Sequence, residues 1–207
     1  MVERSARQAK QNLRFQLLAN RAQRSSTDRA GAADALSERV SALPEITSAT
    51  SVACYVSTPA EPGTGPLLAA LSGRECTVML PILRSDFDLS WAAYQPGALR
   101  EARFGISEPT GEALGTEAVR DASVVICPGL AGDERGHRLG RGGGSYDRVL
   151  ARLPGTVLRV VLLYDDEVLP AVPTDEHDEP VHVLVTPDRT LRTSAARSDE
   201  LPPSHPA

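Results

Sequence analysis

Residues 124–150 read VVICPGLAGDERGHRLGRGGGSYDRVL, and the order of residue types in this stretch decides the fold. Val124 to Ile126 is a β-branched run that reads as a buried strand and breaks at Pro128-Gly129. A polar loop leads into Arg138-Leu139-Gly140-Arg141-Gly142-Gly143-Gly144. Apolar residues then return at Tyr146, Val149, Leu150 and Leu153, the spacing of one helix face. Strand, glycine loop and helix start together form a geometry that holds phosphate. Glycines let backbone N–H groups approach an anion closely, and the helix end adds partial positive charge. Arg138 and Arg141 each offer a planar fork of donors to phosphate oxygens. The loop is not a Walker A sequence, since no G-x-x-x-x-G-K-[ST] occurs. Nor is it the dinucleotide fingerprint, whose third glycine, counted from Gly140, would fall on Ser145.

Outward from this stretch the chain alternates strands and helices. The spacing predicts an amphipathic helix over 4–24, with Leu13, Leu17 and Leu18 on its apolar side. A second helix, capped by Thr27 or Asp28, runs to about Leu43 and stops at Pro44. Strands are predicted over Ser51–Val56, Glu75–Leu80 (ending at Pro81), Leu89–Tyr94, Val124–Cys127, Thr156–Tyr164 and, last, His182–Thr186. A short helix covers 66–71, and 95–115 reads as loop. The pattern implies a single three-layer α/β/α domain with a mostly parallel central sheet over residues 1–192. The small, polar, Pro-rich 193–207 is expected to be a disordered tail. Ligands in such sheets bind beyond the carboxyl ends of the strands, where Ser57–Glu61, Pro128–Gly144 and Tyr164–Asp166 would lie.

The 207 residues are 41% hydrophobic and 24% charged, an ordinary globular composition. No apolar run approaches the roughly 20 residues that span a bilayer, and no signal core opens the chain, so a cytoplasmic protein without a membrane partner is expected. Cys54, Cys76 and Cys127 lack metal spacing and read as buried free thiols. His137, His177, His182 and His205 lack zinc spacing too. Net charge is −5, which argues against nucleic acid. The charge is uneven, however: residues 1–29 hold seven Lys/Arg and two acids, leaving −10 for the remainder. Of the 22 basic residues only Lys10 is lysine, a compact charge suited to a phosphate. Lys10 and Arg14, at i and i+4, share one helix face.

PGLAGD followed by G-x-RLGRGGGSYDR-x-L resembles the signature of the 5-formyltetrahydrofolate cyclo-ligase (methenyltetrahydrofolate synthetase) family, usually close to PG-x-AFD…G-x-RLG-[YR]-G-x-GYYD. Lys10-Gln-Asn-Leu13-Arg14 is similar to that family's amino-terminal K-x-x-L-R, and the likeness extends over about residues 8–190. It implies a ligase that uses ATP and Mg²⁺ to cyclise 5-formyltetrahydrofolate to 5,10-methenyltetrahydrofolate by phosphorylating the formyl oxygen. The family pattern, carried onto this chain, gives ATP contacts at Lys10, Arg14, Arg138, Leu139, Gly140, Arg141, Gly142, Gly143, Gly144, Ser145 and Tyr146. Lys10 and Arg141 take catalytic roles. Substrate contacts fall to Val56, Glu61, Arg141 and Ser145. Glu61 lies in an S-x-x-x-E match, and its carboxylate suits adjacent N–H donors of a pterin. Asp147 and Asp178 match metal positions, and hard oxygens suit Mg²⁺. Asp133 matches a structural position.

Two departures stand out. Gly132 replaces a usual Phe and so removes an aromatic wall. Ser145 replaces a Tyr whose phenol lies near substrate and phosphates, though its hydroxyl can cap the helix. Trp91, Tyr94 and Phe104 read as packing residues. A monomer is expected. The competing readings are a sugar-phosphate isomerase-like enzyme and a non-catalytic nucleotide-binding module; neither calls for Lys10, Arg14, Glu61 and turnover together.

Overall fold

The computed structural model describes the backbone of residues 2–198 and the side chains of 6–196. Helix α1, Val2–Ala22, carries Lys10, Leu17 and Arg21 on its buried face, spaced seven and four apart as one helical stripe requires. Leu18, expected on that face, is exposed. Helix α2 is Ser26–Ser41 and is capped by Ser25, whose side chain accepts from Asp28 N, rather than by Thr27 or Asp28. Pro44 does not merely stop it: Pro44–Thr47 forms a short helix α3 of its own, proline being suited to a first helical turn.

Strand β1 (Ser51–Ala53) leads through α4 (Gly65–Ser72) to β2 (Thr77–Leu83) and β3 (Leu89–Ala93). Strand β2 runs through Pro81 instead of ending there. Its pairing with β1 covers only residues 77–79, so the missing N–H of Pro81 falls where no neighbour needs it. The stretch 95–115, expected as loop, contains a small hairpin, β4 (Leu99–Glu101) with β5 (Ser107–Pro109). Then come β6 (Val124–Pro128), a two-residue ribbon of β7 (Ala131–Gly132) and β8 (Arg138–Leu139), helix α5 (Ser145–Ala151), β9 (Leu158–Leu162) and β10 (Val183–Val185). The sheet does not finish at β10: β11 (Thr190–Arg192) returns antiparallel beside it. A short α6, Ser194–Ser198, occupies part of the expected tail, whose remainder lies outside the described residues.

The main sheet has seven strands in the order β11-β10-β9-β6-β1-β2-β3. The five inner strands are parallel, and the two edges are antiparallel. Chain order runs outward both ways from the β6/β1 pair. Right-handed crossovers that step in opposite directions place their helices on opposite faces. Accordingly Leu36, Val40, Leu67 and Leu71 of α2 and α4 pack on one face with Val52, Ile126 and Val160. Val149 and Leu150 of α5 pack on the other with Val125, Cys127 and Val161. Helix α1 sits apart, with Leu17 packed on Leu130 and on Ala131 and Leu139 of the β7/β8 ribbon.

Candidate functional site

The β6/β1 pair is the point where strand order reverses, so the carboxyl ends of these strands splay and leave a crevice. A cleft of about 1450 Å³ opens there. All the residues assigned roles from the sequence line it: Lys10, Arg14, Val56, Glu61, the run Arg138–Asp147, and Asp178. They come from α1, the loop after β1, the stretch from β8 through the glycine loop into the first turn of α5, and the loop before β10.

The glycine loop takes its shape from Gly142 (φ 102°) and Gly144 (φ 68°), a region that side-chain-bearing residues avoid. A side chain on Gly142 would also meet the Arg14 guanidinium at 3.4 Å. Arg14 Nε donates to Gly140 O at 2.8 Å, which ties α1 directly to the loop. Gly144 caps α5, and Ser145 is the first helical residue. Ser145 therefore does not serve as the cap, and no side chain occupies the cap acceptor position. Arg138, buried, braces the loop from behind, with Nη1 on Pro128 O at 3.0 Å and Nη2 on Asp147 Oδ1 at 2.5 Å. Its Nε has no partner.

Lys10 Nζ lies 2.6 Å from Asp175 Oδ2 and 2.5 Å from Asp178 Oδ2. Across the cleft, Arg141 Nε reaches Glu61 Oε1 at 3.2 Å, and its Nη2 donates to Thr58 Oγ1 at 3.2 Å. Glu61 Oε2 accepts from Thr58 N at 2.8 Å. Each of these cations is thus partnered by a carboxylate. Asp147 is paired with Arg138, and Asp178 shares Lys10 with Asp175; the described residues contain no group of three or more His, Cys, Asp and Glu that could hold a metal by themselves. One or two carboxylates sharing an ion with phosphate oxygens is nonetheless how Mg²⁺ is ordinarily bound, so the donor set fits that ion.

Burial, reinforced by the Glu61 carboxylate, pushes the Tyr55 phenol well above its usual range. Burial, with the nearby thiols, does the same to Tyr146. Both phenols line the cleft as neutral groups. Cys54 and Cys127 are pushed up to about 12 and about 11 by burial, which makes them inert thiols rather than nucleophiles.

Asp133 is structural. It accepts from the backbone of Arg135, His137 and Val172 and faces His137 Nδ1 at 3.0 Å. Burial would raise its pKa, but the bonds from Val172 and His137 outweigh that and hold it low.

Two sequence expectations need correction. A side chain at Gly132 would not wall the cleft: its Cβ would stand 2.5 Å from Leu184 Cδ2 and 3.1 Å from Leu163 Cδ1, inside the core of the sheet. Phe104 is no packing residue. It is 67% exposed, lines the cleft and stacks on Phe87 with ring centroids 6.4 Å apart, both at positive φ. Trp91, by contrast, is buried as expected. Sequence reasoning passed over Phe87 and Asp175. The latter stands three residues before Asp178, the one signal that was available.

A doubly wound sheet whose switch point opens onto a glycine loop and carboxylate-paired cations defines an α/β protein with a cleft whose chemistry suits an anion. Comparison with known proteins narrows the class. The profile of the 5-formyltetrahydrofolate cyclo-ligase family matches residues 6–187. The chain is 37% identical over 188 residues to the 5-formyltetrahydrofolate cyclo-ligase of Mycolicibacterium smegmatis, covering 88% of this chain and 96% of that one. It is 32% identical to that of Escherichia coli K12, over 73% and 85% of the two chains. The solution structure of Aquifex aeolicus 5,10-methenyltetrahydrofolate synthetase superposes with a TM-score of 0.78 at 30% identity, covering 96% of each chain.

The chain belongs to the 5-formyltetrahydrofolate cyclo-ligase family. It is therefore a ligase of folate metabolism, which sets the isomerase reading aside. No helix among the described residues is long and apolar enough to cross a membrane.

Proposed function

We propose that this cleft catalyses the ATP- and Mg²⁺-dependent cyclisation of 5-formyltetrahydrofolate to 5,10-methenyltetrahydrofolate, with residues 1–192 as the catalytic domain of a cytoplasmic monomer. The observation that carries the reading is convergence: Arg14 of α1 is bonded to the glycine loop, and Lys10 enters the same cleft one helical turn earlier. Main-chain amides of 140–144 and these cations grip the triphosphate, while Glu61, with Val56 beside it, receives the adjacent N–H donors of the pterin. The three free cysteines suit a reducing compartment.

An amide oxygen is a poor leaving group, so it must be converted to a better one. The N5-formyl oxygen attacks the γ-phosphorus and the β–γ P–O bond breaks, releasing ADP. N10 then attacks the formyl carbon, gives up its proton, and the C–O bond breaks with loss of phosphate. The work left to the protein is positioning and charge neutralisation. Lys10 and Arg141 offset the repulsion between an approaching oxygen and the phosphates, and Arg138 braces the loop from behind. Asp147 and Asp178 would hold Mg²⁺, which supplies further neutralisation of the phosphate oxygens when bound. Ser145 and Tyr146 line the junction between the two ligands. Gly132, facing the core, lends no support to a module that has lost turnover.

The test is incubation of the protein with 5-formyltetrahydrofolate and MgATP, followed by the near-UV absorbance of the methenyl product. The expected result is product that requires both ATP and Mg²⁺. Nucleotide binding, seen as a stabilisation of about 2.7 kcal/mol at ~100 times Kd, without any product would leave a binding module and overturn the proposal.

A further inference from the structure

Behind the cleft, a chain of buried polar contacts joins α1 to both walls. Arg21 and Glu167 are each 1% exposed. Arg21 Nε and Nη2 meet the two Glu167 oxygens at 2.6 and 2.8 Å, and Nη2 also donates to Gly129 O at 2.6 Å. Glu167 Oε2 accepts from Tyr164 N at 2.9 Å. The ring of Tyr164 is buried, with the Arg24 guanidinium 4.0 Å from its centroid and Arg24 held in turn by Asp166. The Tyr164 hydroxyl donates to the main-chain oxygen of Glu61 at 3.1 Å.

That last bond reaches the turn that carries Glu61. Apart from the bond from Leu68 N to Thr64 O that starts α4, the turn's other bonds on the buried side are made within residues 55–64: Glu61 N donates to Thr58 O, Thr58 N to Glu61 Oε2, Ser57 N and Thr64 N to each other's hydroxyls, and Thr64 Oγ1 to Tyr55 O. They fix its shape, and β1 before it and α4 after it hold its two ends, but none of them grips the Glu61 main chain from across the sheet. Arg141 touches it only from the open side of the cleft, through a half-exposed side chain. Tyr164, two residues past β9 and clamped by Glu167 and Arg24, is the side chain that ties the Glu61 main chain itself to the far side of the switch point.

We propose that Tyr164 is a positioning residue for the folate substrate. It holds the Glu61 main chain where the carboxylate meets the pterin, and it is itself held by the buried Arg21–Glu167 pair. A binding carboxylate must be kept within about 0.5 Å of its productive place. The inference rests on the reading of Glu61 as the pterin's partner. The Tyr164 hydroxyl bonds only the Glu61 main chain, while its ring rests against Arg21 and Arg24; deleting the hydroxyl alone therefore bears on one substrate.

The test is steady-state kinetics on Tyr164→Phe, Glu61→Gln and the double variant, with both KM values measured. Tyr164→Phe keeps the ring beneath Arg24 and deletes one hydrogen bond, so the KM for 5-formyltetrahydrofolate rises about fivefold while that for ATP moves by less than about twofold. In the Glu61→Gln background the same substitution adds less than about twofold, because the group it positions is already impaired. Equal rises in both KM values, unchanged KM values, or full multiplication of the two effects each overturn the inference. If Glu61→Gln raises the folate KM and Tyr164→Phe does not, only the positioning role falls. If Glu61→Gln leaves it unchanged, the pterin assignment falls as well.

Discussion

Arg21→Met is the perturbation that best tests how the catalytic end of the sheet is held. Arg21 makes three hydrogen bonds of 2.6 to 2.8 Å, two to Glu167 and one to Gly129 O, and both side chains of the pair are at most 2% exposed. Methionine keeps most of the volume and removes the charge. Glu167 is then left as a buried carboxylate whose remaining hydrogen bond comes from Tyr164 N. Breaking a buried pair in this way costs about 3–5 kcal/mol, or roughly 6–20 °C in Tm for a domain of this size. Burial already raises Glu167 above the usual carboxylate range, with Arg21 acting in the opposite direction. An acid whose folded pKa is raised favours the fold fully while protonated, below its unfolded pKa, and that benefit is lost as pH rises through the folded value. Removing Arg21 lifts the folded value further. The deficit is therefore full at about pH 7 and shrinks as pH falls toward the ordinary carboxylate range. Urea denaturation of both proteins at about pH 7 and about pH 5 measures this. The double variant Arg21→Met/Glu167→Leu should recover most of the loss, since an apolar pair replaces a buried ion pair at little cost. A deficit under about 1 kcal/mol, one that grows on acidification, or a double variant worse than the single one would refute the reasoning.

Lys10→Ala should raise the KM for ATP at least about tenfold, the effect of one lost charge-assisted contact; unchanged ATP kinetics would remove Lys10 from the phosphate site. Gly132→Phe, although it restores the family's usual residue, should lower stability by about 1–3 kcal/mol through overpacking against Leu184 and Leu163, and thermal melting with an unchanged Tm would contradict that packing. Asp147→Asn should increase the Mg²⁺ concentration needed for half-maximal turnover by about tenfold or more; an unaltered Mg²⁺ titration would exclude Asp147 as a ligand.

The parallel inner strands were legible because each carries a β-branched or continuous apolar run, as in Val124–Cys127 and Val160–Leu162. The edges were not. Strand β11 is three residues, Thr190–Arg192, with neither end residue buried, so no periodicity announces it. Its partner turn is made by reciprocal bonds between Thr186 and Arg189, a tertiary fact. The cap of α2 was misplaced because Ser25-Ser26-Thr27-Asp28 offers four competent caps in a row, and only the bond from Asp28 N to Ser25 chooses among them. The sequence suggests a packing role for Phe104 because large aromatics are usually found packed. Its positive φ, which turns the ring toward the cleft mouth beside Phe87, belongs to the hairpin and has no local signature.

The candidate site was more legible than the fold's edges, because chemistry confines residue choice more tightly than packing does. What sequence could not give is the pairing. Lys10 is held by Asp175 and Asp178, Arg138 by Asp147, and Arg141 by Glu61. These cations are not waiting bare for an anion, and leaving them so would be costly in a cleft lined by buried groups. On the proposed reading, a triphosphate therefore enters by exchange. As its oxygens take Lys10 from Asp175 and Asp178, carboxylate charge is released next to phosphate charge, an arrangement that repels unless a cation enters with the nucleotide. Two aspartates freed at the phosphates are the oxygen donors a hard divalent ion prefers. The same side chains that keep the resting site neutral thus become the reason nucleotide and metal should bind together, and ATP affinity measured without Mg²⁺ should be far weaker than affinity measured with it.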